Sequence, residues 1–187
     1  MNTYAYVGGN PVNGTDPSGL TVMISGHFAA GPLAYWTSPP AYHLSIDLIP
    51  DNPADFANRS GWTSIGGAIV ATLSAHPNGL PGNLVYTPNE GAGLLDNANF
   101  FAIVPTPCGQ TDTQFIDNLI AAAGSYGNDL PYSIPAFGTG SMGPGDYNSN
   151  SFVSGVIAAA GGIPPALSFD VPGYTNPIPL SRVSGGP

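Results

Sequence analysis

The sequence predicts an α+β domain, a small antiparallel sheet packed with helices. Three stretches predict it. Residues 41–49 alternate strictly: Tyr42, Leu44, Ile46 and Leu48 share one side, and His43, Ser45 and Asp47 share the other. That is the period of a strand with one buried face. Phe115, Ile116, Leu119 and Ile120 recur at helical spacing behind Asp112. Phe152, Val153, Val156 and Ile157 do the same behind Tyr147-Asn148-Ser149-Asn150-Ser151. With 187 residues, 42% of them hydrophobic, the chain can bury one core of ordinary size.

In chain order, residues 1–20 are rich in Gly, Asn and Pro and form turns rather than a helix. Val22-Met23-Ile24 is a short strand, followed by Gly26-His27. Residues 31–40 carry three prolines and form a loop. After the strand at 41–49, residues 50–60 are loop and 64–74 hold a second strand, weakened by Gly66 and Gly67. His76 precedes Pro77 in an expected turn. Residues 83–87 and 100–104 are further strands. Asp112 is expected to cap a helix over 113–123, and a long Gly/Pro/Ser loop follows over 124–146. A second helix runs to about residue 160, capped by Asn148 or Ser149. A proline-punctuated tail ends the chain, and no internal repeat occurs.

Charge narrows the function classes. There are 2 basic residues, Arg59 and Arg182, against 11 acidic ones, for a net charge of −9. A nucleic-acid binder needs a basic footprint, so none is expected here. Docking to anionic lipid is equally unsupported. The single Cys108 precludes an internal disulfide framework and a cysteine-rich zinc site. No run reaches the roughly 18 apolar residues of a membrane span. The first residues lack a basic n-region and an apolar h-region, so no signal peptide is expected.

Ser149 is the candidate nucleophile. A hydroxyl at a helix start sits at the positive end of the dipole, beside backbone N–H groups that lack intrahelical partners. Those groups can hold an oxyanion. Alternatively, Ser149 and Ser151 simply cap a core helix. A serine needs a base, and the chain offers His27, His43 and His76. His43 is the candidate, on the polar side of the best strand, where a histidine can also be purely structural. Cys108 is a rival nucleophile, although a lone cysteine is more often a small buried hydrophobe. The histidines and acids show no metal-ligand spacing. No phosphate-cradling Gly-x-x-x-x-Gly-Lys or dinucleotide fingerprint is present.

Two resemblances extend this reading. Tyr4-Ala5-Tyr6-Val7, Asn10-Pro11 and Asp16-Pro17-Ser18-Gly19-Leu20 resemble the conserved end of the core in Rhs and YD-repeat polymorphic toxins. In that family a shell ends at this motif, and autoproteolysis just after it frees a C-terminal toxin. The resemblance implies residues 1–20 as the end of the Rhs core and 21–187 as the toxin domain. Asp16 would be the motif aspartate, and processing would fall after Leu20. It also implies delivery into a target bacterial cell, as for type VI secretion effectors, with the parent chain's Rhs shell and a cognate immunity protein as partners.

Asn148-Ser149-Asn150-Ser151-Phe152-Val153 resembles the Asn-Cys-x-x-Phe-Val box of lecithin:retinol acyltransferase-like and permuted NlpC-type enzymes. Tyr42-His43-Leu44-Ser45-Ile46 resembles their His-x-x-Ile strand. The resemblance implies a circularly permuted papain-like fold, Ser149 in the place of the nucleophilic cysteine, His43 as general base, and no cofactor or metal. Serine has a much higher pKa than cysteine and depends more on its base, which suits ester cleavage or acyl transfer on phospholipid. The residue that orients His43 must come from another strand, since Asp47 lies about 13 Å along the same one. His76, Ser74 and Thr72 are candidates. Two other readings stand beside this one. The first is a peptidoglycan amidase or endopeptidase of NlpC type. The second is a non-enzymatic, membrane-perturbing toxin acting through the Ala/Gly/Ile-rich segment 155–167.

Overall fold

The computed structural model describes residues 22–28, 42–65, 68–89, 98–135 and 142–183. The Rhs-like motif, with Asp16 and Leu20, lies outside them, as does the loop expected over 31–40. Six strands form the sheet: β1 (Val22–Phe28), β2 (Tyr42–Leu48), β3 (Thr63–Ile65), β4 (Ala68–Pro77), β5 (Leu84–Pro88) and β6 (Phe100–Ile103). The order is β3-β4-β2-β1-β6, with β5 also on β4, and every ladder between these strands is antiparallel.

Three strand boundaries differ from expectation, each because a neighbouring strand supplies hydrogen bonds. The strand expected over 64–74 is two strands, β3 and β4, which pair Ser64 with Ile69. β1 continues to Phe28, because β2 pairs it along its whole length and β6 pairs Met23 to Gly26 on the other side. His27 is therefore inside a strand. So is His76, which sits in β4 opposite Val85 of β5 rather than in a turn. Gly26 is required where it stands: a Cβ there would lie 2.0 Å from the Phe100 ring, which crosses the β1 backbone.

Two helices complete the domain. The first, α1 (Asp112–Gly124), is capped by Thr111 rather than Asp112. The Thr111 hydroxyl accepts the Gln114 N–H, and the Gln114 side chain returns the bond to the Thr111 N–H, a capping box. The second, α2 (Ser149–Ala159), is capped by Asn148. Between the helices, the segment expected as a long loop is tied to the sheet where it is described. Asn83 bridges Pro131, Tyr132 bridges Tyr147, and the Asn128 side chain accepts the Tyr86 N–H at 2.8 Å.

The core lies between the helices and one face of the sheet. Val22, Ile24, Leu44, Ile46, Leu48, Ala71, Leu73 and Ala75 supply that face. Phe115, Ile116 and Leu119 of α1 and Phe152, Val153, Val156 and Ile157 of α2 cover it. Phe152 stacks on Tyr86 of β5 and touches Tyr126 after α1, joining the layers. Such burial is worth about 2 kcal/mol per large side chain, and it holds α2 against β2 and β4. The α+β class and the small antiparallel sheet packed with helices are as the sequence predicts.

Candidate functional site

The start of α2 is fixed by its own polar residues. Asn148 Oδ1 accepts the N–H groups of Asn150, at 2.9 Å, and Ser151, at 3.1 Å. The Asn148 carbonyl accepts the Phe152 N–H, and Ser151 Oγ accepts the Asn148 N–H. These bonds correct the expectation that several first-turn N–H groups are free to hold an oxyanion. The cap occupies all of them except one, the N–H of Ser149 itself, which has no partner among the described residues.

Asn150 then clamps this turn to the sheet. Its Oδ1 accepts the Leu44 N–H at 2.9 Å, and its Nδ2 donates to the Tyr42 carbonyl at 2.9 Å. Both partners flank His43 on β2. The clamp fits because the β2–β4 ladder ends at Ile46 opposite Leu73, leaving the Tyr42 end of β2 open on that side. Asn150 Nδ2 also donates to the Pro172 carbonyl, and Ser151 Oγ donates to the Gly173 carbonyl at 2.9 Å. The chain after α2 is thereby pinned to the same turn. Ser149, 3% exposed, places Oγ 3.4 Å from Asn150 Oδ1 and hydrogen-bonds the Tyr132 side chain.

The second face of the sheet carries a polar strip across β1, β2 and β4, in which Ser25, Ser45, Asp47, Thr72 and Ser74 are buried. Register sets His27 opposite His43 and Ser25 opposite Ser45, across β1 and β2. Asp47 stands opposite Thr72 of β4, whose alternation puts Ser74 and His76 on the same side. Ser25 Oγ and Ser45 Oγ are 3.0 Å apart, and Thr72 Oγ1 donates to Asp47 Oδ1 at 3.1 Å. All three histidines of the chain converge here. Burial, reinforced by His27 and His76, pulls the pKa of His43 down to about 4, so its imidazole is neutral at pH 7. Burial pushes Asp47 up to about 6, against hydrogen bonds from Ser25 and Thr72 and the field of His27. Asp47 Oδ2 and His27 Nε2 are buried without a hydrogen-bond partner.

The structure thus brings the Ser149 turn onto the strand that carries His43. No hydrogen bond joins the Ser149 and His43 side chains, and the β2 alternation puts Leu44, not His43, in the core beneath α2. Of the candidates to orient His43, His76 acts on it electrostatically, while Thr72 is committed to Asp47. His27 is a neighbour the sequence reading did not pair with His43. Its signal was present: Ser25-Gly26-His27 mirrors His43-Leu44-Ser45, as antiparallel neighbours with matching faces do. Asn150 carried no such signal. Cys108 is exposed in the turn before α1, not a buried hydrophobe. Among the described residues, no group of three or more His, Cys, Asp or Glu could hold a metal ion.

No protein-family model, no curated protein and no solved structure matches this chain.

Proposed function

We propose that this chain is a serine-dependent acyl-ester hydrolase or acyltransferase acting on phospholipid, built on a circularly permuted papain-like arrangement and delivered as an antibacterial toxin. One observation carries the catalytic part. The Asn150 clamp joins the Ser149 turn to the two residues flanking His43, while the N–H of Ser149 has no partner among the described residues. Ser149 Oγ attacks the ester carbonyl and His43, neutral at pH 7, accepts the hydroxyl proton. The Ser149 N–H, at the positive end of α2, holds the oxyanion. The alcohol leaves with the proton returned from His43. Water, or an acceptor alcohol, then takes the acyl group from Ser149. No hydrogen bond joins the two side chains, and His43 stands on the sheet face away from the core under α2, so this reading requires the Ser149 turn and His43 to approach each other when substrate binds.

With Ser149 only 3% exposed, an ester reaches it after the surrounding chain opens. The reading therefore expects slow turnover of dissolved short esters and faster turnover at a lipid surface. The toxin part is supported by the Rhs-like motif at 1–20 alone, and with it the processing after Leu20, the Rhs shell and the immunity protein as partners. The deciding experiment is mass spectrometry of lipids from bacteria expressing residues 21–187, beside a Ser149→Ala control. Lysophospholipid or free fatty acid appearing only with the wild-type chain is the expected result. An unchanged lipid profile in dying cells overturns it, and release of muropeptides from purified sacculi would then favour the NlpC-type amidase. In the 155–167 segment of the membrane-perturbing reading, Val156 and Ile157 are buried in the core while Ile163 is 80% exposed; dye leakage from liposomes unchanged by Ser149→Ala would favour that reading.

A further inference from the structure

A groove of about 570 Å³ opens between α2 and the segment that follows it, within the size range of small-molecule sites. Ser154 and Ala158 of α2 line one side, and Pro165, Leu167, Val171 and Tyr174 are among the residues of the other. The groove is separate from the Ser149 turn: Ser154, five positions further along α2, projects about 140° around the helix axis from Ser149. Its walls are held in place. The Tyr174 hydroxyl donates to the Pro165 carbonyl at 2.8 Å, and Pro164, Pro165 and Pro177 each fix a backbone angle. Ser154 Oγ donates back to the helix carbonyls of Asn150 and Ser151, at 3.3 Å each, so it offers a ligand little. Most of the remaining surface is apolar.

Two polar side chains of the lining remain, Asp170 and Thr175, both exposed. Among the described residues, neither side chain makes a hydrogen bond or an ion pair. They flank a turn that the Tyr174 N–H closes on the Val171 carbonyl at 3.0 Å. The chain supplies no cation for Asp170. It has no lysine, Arg59 is engaged with Asp117, and Arg182 is engaged with Asp129. A positive group in the groove therefore meets an uncompensated carboxylate, on a chain whose net charge of −9 draws cations in. The Thr175 hydroxyl can accept a hydrogen bond from the same group. The rest of such a ligand is apolar, to match the walls.

We infer that this groove binds a small aliphatic amine, its ammonium at Asp170 and Thr175 and its hydrocarbon body against Leu167 and Ala158. The inference stands apart from the ester reading, because neither Ser149 nor His43 lines the groove. Calorimetric titration of the full chain at neutral pH with octylamine, beside octanol and octanoate, tests it. Octylamine is expected to bind most tightly and octanoate least. Asp170→Asn is expected to weaken octylamine about fivefold, the scale of one exposed ion pair, and to leave octanol unchanged. Asp117→Asn makes the same change of net charge on α1, outside the groove, and is expected to leave both unchanged. Ala158→Trp, which fills the groove, is expected to weaken both about tenfold. Leu167→Asn, which makes the wall polar, takes its place if circular dichroism shows that the tryptophan variant fails to fold. No binding of octylamine, or unchanged affinity in the folded groove variant, overturns the site. Equal affinity for octylamine and octanol, or equal weakening in Asp170→Asn and Asp117→Asn, overturns the assignment of an amine.

Discussion

Asn150 Oδ1 accepts the backbone N–H of Leu44 at 2.9 Å, across 106 positions of the chain. The same side chain donates to the carbonyls of Tyr42 and Pro172. A single buried amide therefore joins β2, the first turn of α2 and the segment after it.

Replacing that amide strands three backbone groups. Asn150→Ala is expected to destabilise the fold by about 3 kcal/mol, since each buried group left unpaired costs about 1–3 kcal/mol. Asn150→Asp is expected to cost as much, because an acceptor then faces the two carbonyls. Urea denaturation midpoints at constant slope measure both. A midpoint unchanged in Asn150→Ala would show that the clamp contributes nothing.

Ser149→Ala removes one hydroxyl whose partners are Tyr132 and Asn150. Its expected stability change is about 1 kcal/mol or less. Its expected effect on ester turnover is a loss of about a thousandfold or more, as for removal of a catalytic nucleophile. The two readouts together distinguish a nucleophile from a purely structural serine, which would shift stability and leave turnover alone.

The pH profile separates His43 from Asp47. Asp47 has a folded pKa near 6 against an ordinary 3.8, so the folded chain holds a proton that the unfolded chain has released. Its stabilisation is complete below pH 3.8 and is lost as pH rises through 6. His43 has a folded pKa near 4 against an ordinary 6.5, so the unfolded chain holds the extra proton, and stability grows as pH rises from 4 to 6.5. The two contributions oppose each other, each about 3 kcal/mol. Asp47→Asn should therefore steepen the rise of stability over pH 4–6.5 relative to the wild-type chain, and His43→Gln should turn it toward a fall. Asp112, also raised by burial to about 6, remains in both variants and cancels from their comparison. Parallel profiles for the two variants would contradict both assignments.

If His43 is the base, kcat/KM is expected to rise as its proton is lost near pH 4 and stay level through neutrality. A steady-state profile on a dissolved ester measures this. An inflection near 6.5 would show that the base is a solvated histidine instead.

Gly173 is the point where the chain after α2 meets its cap. It holds φ at +85°, and a Cβ there would sit 2.3 Å from Asn148 Oδ1, the atom that caps the helix. Gly173→Ala is expected to cost about 3 kcal/mol, from backbone strain and displacement of the cap together. Thermal unfolding measures it. Gly145→Ala is the control, with similar positive φ, +90°, but nothing within 4 Å of the added Cβ.

The sequence by itself determined the parts whose signal is local. The alternation of Tyr42 to Leu48 fixed β2 and both of its faces, because side-chain direction along a strand repeats every two residues. The helical spacing behind Asp112 and Asn148 marked α1 and α2, although Thr111, not Asp112, caps the first, and the small polar residues marked where α2 starts. Local signals failed wherever a distant strand supplied the hydrogen bonds. His76 reads as a turn residue before Pro77, but β5 pairs with it, and β1 outruns its short apolar run because two neighbours hold it. The candidate site divides in the same way. Ser149 and His43 could be named from their neighbours in sequence. Only tertiary structure decided that Asn150 joins their elements, that the cap leaves only the Ser149 N–H without a partner among the described residues, and that His27 and His76 flank His43. Register and the open end of the β2–β4 ladder govern those contacts, and both arise from pairing between residues far apart in the chain.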